Sequence, residues 1–461
     1  MSTQPGRRSA PGGRRGITST GVLAVLLPAV TVGTLLLVQS HEPVDARRPP
    51  EPTTLKSSAV ACPSAPEAPG VAYVATGQPD ARGEVTVTAN GKQTSVPVRA
   101  GEVSPVRGSG PVIAEGEGEL APGLLAGRFG DRRLAAVDCP LPAPETWFTG
   151  VGAGTTHNSV LELTNPDAGP AVADVTVYAS TGEIVDSGLR GVTVPGEESV
   201  RLDLSEAVPR RTEMALRVVV SRGRLAASVL DEIPQLGSRR LTQDWLAPQP
   251  EPAERTILLG LPPGRGAHSL SVGNPGEDEV RASVKILTED AAFAPQGLDE
   301  LRVPPDSVQT LDLSRAVRAA VQDGAIGIEV TATGPVTAGS RAVVDGDLSL
   351  SAPVQRGGSP MSLVVPPGKA SVLLADASEV GTATVTTWNR AGRQLAEKRL
   401  ELKPGTGGEI RLPSGAALVQ VTPRRTSVNA ALMVTGDGAT VVPFHEQVTD
   451  ALIPDVRPGL P

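Results

Sequence analysis

Along most of the chain, apolar and polar residues alternate in runs of five to nine, and each run ends at Gly, Pro, Asn or Asp. "VLELTNPDAGPAVADVTVY" shows the pattern between Val160 and Tyr178. A period of two places successive side chains on opposite faces of a strand, so each run predicts a strand with one buried face. Asn-Pro is a strong turn starter, because Pro fixes φ and Asn bonds its own backbone. The pattern recurs. "TWFTGVGAGTTHNSVLELTNPDAGPAVADVTVY" (Thr146–Tyr178), "TILLGLPPGRGAHSLSVGNPGEDEVRASVKIL" (Thr256–Leu287) and "SLVVPPGKASVLLADASEVGTATVTTW" (Ser362–Trp388) share one order of strand, Gly turn, strand, polar turn and strand.

Their continuations match too. "LRVVVSRGRLAASVLD" (Leu216–Asp231), "IGIEVTATGPVTAGSRAVVD" (Ile326–Asp345) and "ALVQVTPRRTSVNAALMV" (Ala417–Val434) each read as a hairpin around a short polar turn. Between the halves stands a near-copied phrase, "SVRLDLSEAV" (Ser199–Val208) and "SVQTLDLSRAV" (Ser307–Val317). Leu202 and Leu204 alternate with Asp203, which predicts a strand, and Ser205 and Ser314 stand where they can cap a short following helix. In the third copy "IRLPSGAALV" keeps only the strand. Short strands with turns every 8–12 residues predict an all-β fold of tandem immunoglobulin-like or fibronectin-like sandwiches. The expected sandwiches cover 145–248, 253–352 and 359–461. A smaller β-domain is expected at 59–144, from strands such as "GEVTVTANG" and "RLAAVDCP".

The N-terminus breaks the pattern. "GITSTGVLAVLLPAVTVGTLLLV" (Gly16–Val38) carries no charge. As a helix it would cover about 34 Å, enough for a hydrocarbon core of about 30 Å. Arg7, Arg8, Arg14 and Arg15 precede it, so the positive-inside rule expects a cytoplasmic tail at 1–16, a transmembrane anchor at 17–38 and the bulk outside. Cleavage as a signal peptide near Val44-Asp45-Ala46 is the rival reading, but the apolar run exceeds the usual h-region. Ala29 and Gly33 form a small-xxx-small pair that would permit a homodimer without otherwise supporting one. Residues 39–58, Pro-rich and polar, read as a spacer.

Composition then narrows the chemistry. Of 461 residues only 2% are aromatic, so Val, Leu, Ala and Ile must fill the cores. The net charge is −8, and residues 1–40 hold four arginines and no acid, leaving −12 on the remainder. Such a field repels phosphate backbones, which excludes nucleic acid as a partner. The two cysteines, Cys62 and Cys139, lack the basic neighbourhood of a nucleophile and the four-ligand set of zinc. Outside the cell they are expected to form a disulfide.

No catalytic motif, cofactor signature or metal-ligand pair is present. "GVGAG" (Gly150–Gly154) lacks the Lys of a phosphate loop and reads as a turn. His157 and His268 stand at the entry of strands read as equivalent, with Ser371 near that place in the third copy. They are either a site used twice or local hydrogen-bonding residues. "VDGD" (Val344–Asp347) and "TGDG" (Thr435–Gly438) lack the alternating acids of a calcium loop. Trp147, Trp245 and Trp388 lie in different contexts. Trp147 and Phe148 are expected at a core strand or joint. Trp245, in "DWLAPQPEP", is expected to lock the first two sandwiches together or to face a partner.

The order "ACP…DCP…ETWFTGVGAGTTHNSVLELTNP…GVTVPGEESVRLDLSEAVPRR…ALRVVVSRGRLAASVLDE" is similar to an uncharacterised family of membrane-anchored extracytoplasmic all-β proteins from high-GC Gram-positive bacteria. The resemblance implies an envelope location and brings no activity or binding residues. The expected function is a non-enzymatic envelope protein, acting as a spacer or as a docking scaffold for an envelope protein. The alternative is a cell-wall glycan binder, or a hydrolase with its two carboxylates on loops.

Overall fold

The computed structural model describes residues 51–453, apart from 131–132, 186, 234–240, 250 and 323. The expected cytoplasmic tail, membrane anchor and most of the spacer lie outside the described residues. Among the described residues no helix is long and apolar enough to cross a membrane. Thr54–Ala451 form one compact unit. The described part of the second unit lies in a two-stranded ribbon of Glu51–Thr54 with Asp450–Ile453.

The repeat is an eight-stranded, two-layered β-fold. In one copy the eight strands of the repeat are Glu145–Ala153, Asn158–Thr164, Ala171–Ala179, Gly182–Ile184, Ser199–Asp203, Arg211–Arg222, Ala226–Ile233 and Thr242–Leu246, and a short ninth, Val192–Val194, pairs beside Ala171–Ala179. Numbered in that order, one layer runs 4–3–6–1 and the other 5–2–7–8. Among the described residues the layers join at the Ala153–Asn158 pair alone. The third sandwich, Met361 to Pro443, has the same two orders, and so does the segment from Ser57 to Asp138. The N-terminal β-domain is therefore a fourth copy, beginning at a strand, Ser57–Cys62, that reaches two residues into the expected spacer. Antibody constant domains instead order their sheets ABED and CFG.

The expected hairpins are not hairpins. Arg211–Arg222 pairs with strands of one layer and Ala226–Ile233 with strands of the other. Leu418–Arg424 and Val428–Thr435 divide in the same way. In the second sandwich the two runs form one strand, Ala325–Val344, whose first half pairs in one layer and whose second half pairs in the other. A hairpin and a change of sheet use the same short polar turn between alternating runs. Only the partners of those runs distinguish the two.

The near-copied phrase is another of the crossings between layers, from strand 5 to strand 6. Asp203 ends a strand and caps helix α1, Leu204–Ala207, its carboxylate accepting from the Ser205 N–H. Asp312 accepts from the Ser314 N–H and hydroxyl at α2, Ser314–Gln322. The acids therefore cap these helices where the serines were expected to. The Asn-Pro turns are built alike. Asn165 Nδ2 donates to the carbonyls of Gly169, Val194 and Pro195, and Asn274 Nδ2 to those of Asp278, Val303 and Pro304. Asp376 stands at that place in the third sandwich and pairs instead with Arg255 of the second sandwich, at 2.6 Å.

The four copies close into a ring. Their last strands are β1 (Ala136–Asp138), β2 (Thr242–Leu246), β3 (Asp347–Ser351) and β4 (Ala439–Pro443). β2 packs on β3, β3 on β4, β4 on β1 and β1 on β2. At their centre Asp244, fully buried, accepts from the Ala136 N–H (3.4 Å), the Leu350 N–H (3.1 Å) and the Thr440 hydroxyl (2.9 Å). Burial pushes its carboxyl well above the ordinary aspartate range. Apolar contacts cross every seam. Leu125, Phe129 and Ala136 of the first copy share a core with Met361, Val364 and Phe444 of the last, while Leu259 and Ile326 meet Leu373 and Val441. The seams lose apolar surface to one another as a domain core does.

Candidate functional site

Trp147, Phe148 and Trp245 are all buried, at 2%, 0% and 2% exposure. Trp147 stacks on Tyr178 at 5.7 Å, donates from Nε1 to Glu145 and packs against Val308 of the next copy. Phe148 lies in its own sandwich's core. Trp245 sits in β2, not in a connection, and packs against Ala135 and Val137 of the N-terminal copy. Its strand packs on β3 of the next sandwich as well. Cys62 and Cys139 form the expected disulfide.

The two histidines do not occupy matching places. Val160 pairs with Asp203, and Ser269 with Asp312, so the counterpart of His268 is Ser159 and that of His157 is Gly266. Their surroundings differ accordingly. Among the described residues His268 has no acid at bonding distance, and burial, with Arg318 nearby, holds its pKa below the ordinary range. His157, 1% exposed, lies between Asp231 (Nδ1 to Oδ1, 3.1 Å) and Glu213 (Nε2 to Oε1, 3.4 Å). Arg341 of the next sandwich approaches Asp231 at 3.4 Å, and Ser271 donates to Glu213. Two acids thus meet one guanidinium and one imidazole, and the cluster is neutral only when His157 is protonated. Burial alone would lower its pKa; the hydrogen bonds and charges of Asp231 and Glu213 outweigh that and push it up to about 9. "GVGAG" serves this residue. It is the end of a strand with a bulge at Gly150, and a Cβ on Gly152 would lie 2.3 Å from the imidazole. Every charge here is spent on a neighbour, so the cluster is a seam between two sandwiches.

"VDGD" and "TGDG" meet in one cleft with Arg133. Asp347 there pairs with Arg133 at 3.1 Å and accepts from the Ala439 N–H, while Asp345 accepts from the Arg265 N–H. Among the described residues no group of three or more His, Cys, Asp or Glu is placed to hold a metal ion.

A different place has the character of a binding site. Below the disulfide a cavity of about 350 Å³ opens between the first, second and last copies, with Leu141, Ala227, Pro248, Pro443 and Val448 among its walls. Asp138 and His445 face into it. Both are half-buried, and neither side chain has a hydrogen-bond or ion-pair partner among the described residues. Burial pushes the Asp138 carboxyl up to about 8 and the His445 imidazole down to about 4. An apolar cavity of this size holding perturbed titratable groups is a binding-site geometry. It adjoins a larger groove of about 860 Å³, with which it shares Gln249, Gln355 and Glu446. Sequence reasoning missed it because Asp138 and His445 lie some 300 residues apart. The one local signal was an acid ending the apolar run "AAVD".

A family model described as a family of unknown function, DUF5719, matches residues 100–413. The chain belongs to the DUF5719 family. No curated protein matches this DUF5719 chain. Among solved structures, one titled a tetra-tandem repeat in the extending region of a large adhesion protein is 11% identical, over 80% of this chain and 97% of that one, with a TM-score of 0.10. A superposition that slight carries no argument about the DUF5719 fold, which rests on the strand orders above.

Proposed function

We propose that the protein is a non-enzymatic docking scaffold of the cell envelope, anchored by its N-terminal apolar segment and exposed outside the membrane. The observation that carries this reading is the closure of four sandwiches into one unit around Asp244. A spacer gains reach by stacking domains end to end; a closed ring gives up reach for a broad, fixed surface. The disulfide suits an oxidising compartment. The charge cluster and ion pairs at the seams are engaged internally, as a structural role requires. Glycan recognition usually leans on exposed aromatic faces, and none of the three tryptophans is exposed.

The test uses the full chain in detergent with purified cell wall and, separately, photo-crosslinking from surface positions in intact cells. The expected result is no retention on or cleavage of the wall, with the same protein adducts forming repeatedly from one face. Binding to the wall or release of reducing ends would replace this reading with the glycan one. Protease accessibility of the sandwiches on intact cells checks the topology.

A further inference from the structure

The cavity below the disulfide has walls of mostly apolar character and a charge of one sign. Asp138, Glu145 and Glu446 line it, and no Lys or Arg does among the described residues. Two of these acids are already engaged. Glu145 holds Arg217 at 2.9 Å and accepts from Trp147 Nε1, and Glu446 accepts from the N–H groups of Gly358 and Ser359. Asp138 is left without a partner, in a wall whose remaining titratable group is His445. An unpartnered carboxyl in an apolar cavity is costly to ionise unless a cation arrives. The mouth carries Leu141 and Val448, 38% and 43% exposed, two of the chain's exposed large apolar side chains.

We propose that this cavity binds an apolar monocation, an alkylammonium group that seats its charge on Asp138 and its hydrocarbon against Leu141, Pro248 and Val448. The site stands independently of the docking reading. The volume lies within the range of small-molecule sites and suits a chain of about six carbons. The neutral imidazole of His445 offers no competing positive charge. With its carboxyl held up to about 8, Asp138 gives up a proton when the cation enters at pH 7.

The test measures binding of hexylammonium, hexanol and hexanoate to the full chain at pH 7 by calorimetry in two buffers of different ionisation enthalpy. Hexylammonium is expected to bind at least tenfold more tightly than hexanol, with proton release, and hexanoate most weakly. Asp138→Asn should remove that tenfold preference and leave hexanol binding unchanged. Val448→Trp, at an exposed position, should block both by filling the mouth. A capped Leu-Lys-Leu peptide distinguishes the source. Binding as tight as hexylammonium assigns the site to a protein's lysine, and binding of the free amine alone assigns it to a small molecule. Equal affinity for hexylammonium and hexanol, no binding of either, or an Asp138→Asn variant that keeps the preference would overturn the proposal.

Discussion

His157 should make the fold sensitive to alkali. Its pKa rises from the ordinary 6.5 to about 9 on folding, because Asp231 and Glu213 flank a ring that is 1% exposed. At about 1.4 kcal/mol per tenfold change, the difference contributes about 3 kcal/mol. The sign follows from the raised value. The contribution is whole below pH 6.5, declines as pH climbs, and is gone above about 9. Asp138 acts in the same direction over part of that range, its carboxyl being pushed up to about 8, so the wild-type curve alone does not isolate the histidine. His157→Gln does. The stability difference between wild type and variant, from urea unfolding at intervals from pH 6 to 10, should shrink by about 3 kcal/mol. NMR of the labelled imidazole should show one titration near 9. An imidazole titrating at or below 6.5, or a difference flat across the range, would refute the balance of charges described for this seam.

Other outcomes follow from the same geometry. Asp244→Ala removes the acceptor of three backbone N–H groups (Ala136, Trp245 and Leu350) and of the Thr440 hydroxyl in a buried junction; at about 1 kcal/mol or more for each group it should cost at least about 4 kcal/mol in chemical unfolding. Replacing Cys62 and Cys139 by Ser should cost about 4 kcal/mol in the same assay, from the loop of 77 residues that the bridge closes. Gly339→Val should open the seam between the second and third copies, because a Cβ there would lie 1.9 Å from the Thr149 carbonyl oxygen; hydrogen exchange should rise in Glu145–Ala153 ahead of the sheet interiors. Acid should cost stability through His445, whose neutral form is favoured, as pH falls from 6.5 through about 4, and His445→Gln should remove that loss.

Strand alternation and the repeated phrase were legible because both are local. A period of two survives without knowledge of partners, and Asn165 and Asn274 close the same turn wherever their sheets lie. Partner-dependent features were not legible. Leu216–Asp231 looked like a hairpin because its turn chemistry is identical in a change of sheet. His157 and His268 were matched because both stand at a strand entry; counted back from Asn165 and Asn274 they already differ by two residues, and the pairing with Asp203 and Asp312 has the same offset. The candidate cavity depends on ring closure, which brings His445 to Asp138, and no local pattern of residues encodes that meeting.

Ring closure also decides how the molecule would bear a pull. The chain enters and leaves the compact unit side by side, with the Leu55 N–H on the Thr449 carbonyl at 3.0 Å. In a row of tandem domains, tension on the two ends passes through every domain in turn, and each can give way as a link. Here tension on the ends is met first by that local pairing and then by the seam between the first and last copies. The inner copies carry load only after the ring has opened. The protein would therefore resist stretching as a clasp does, with one early yield and little extension before it, where a string of sandwiches would lengthen step by step.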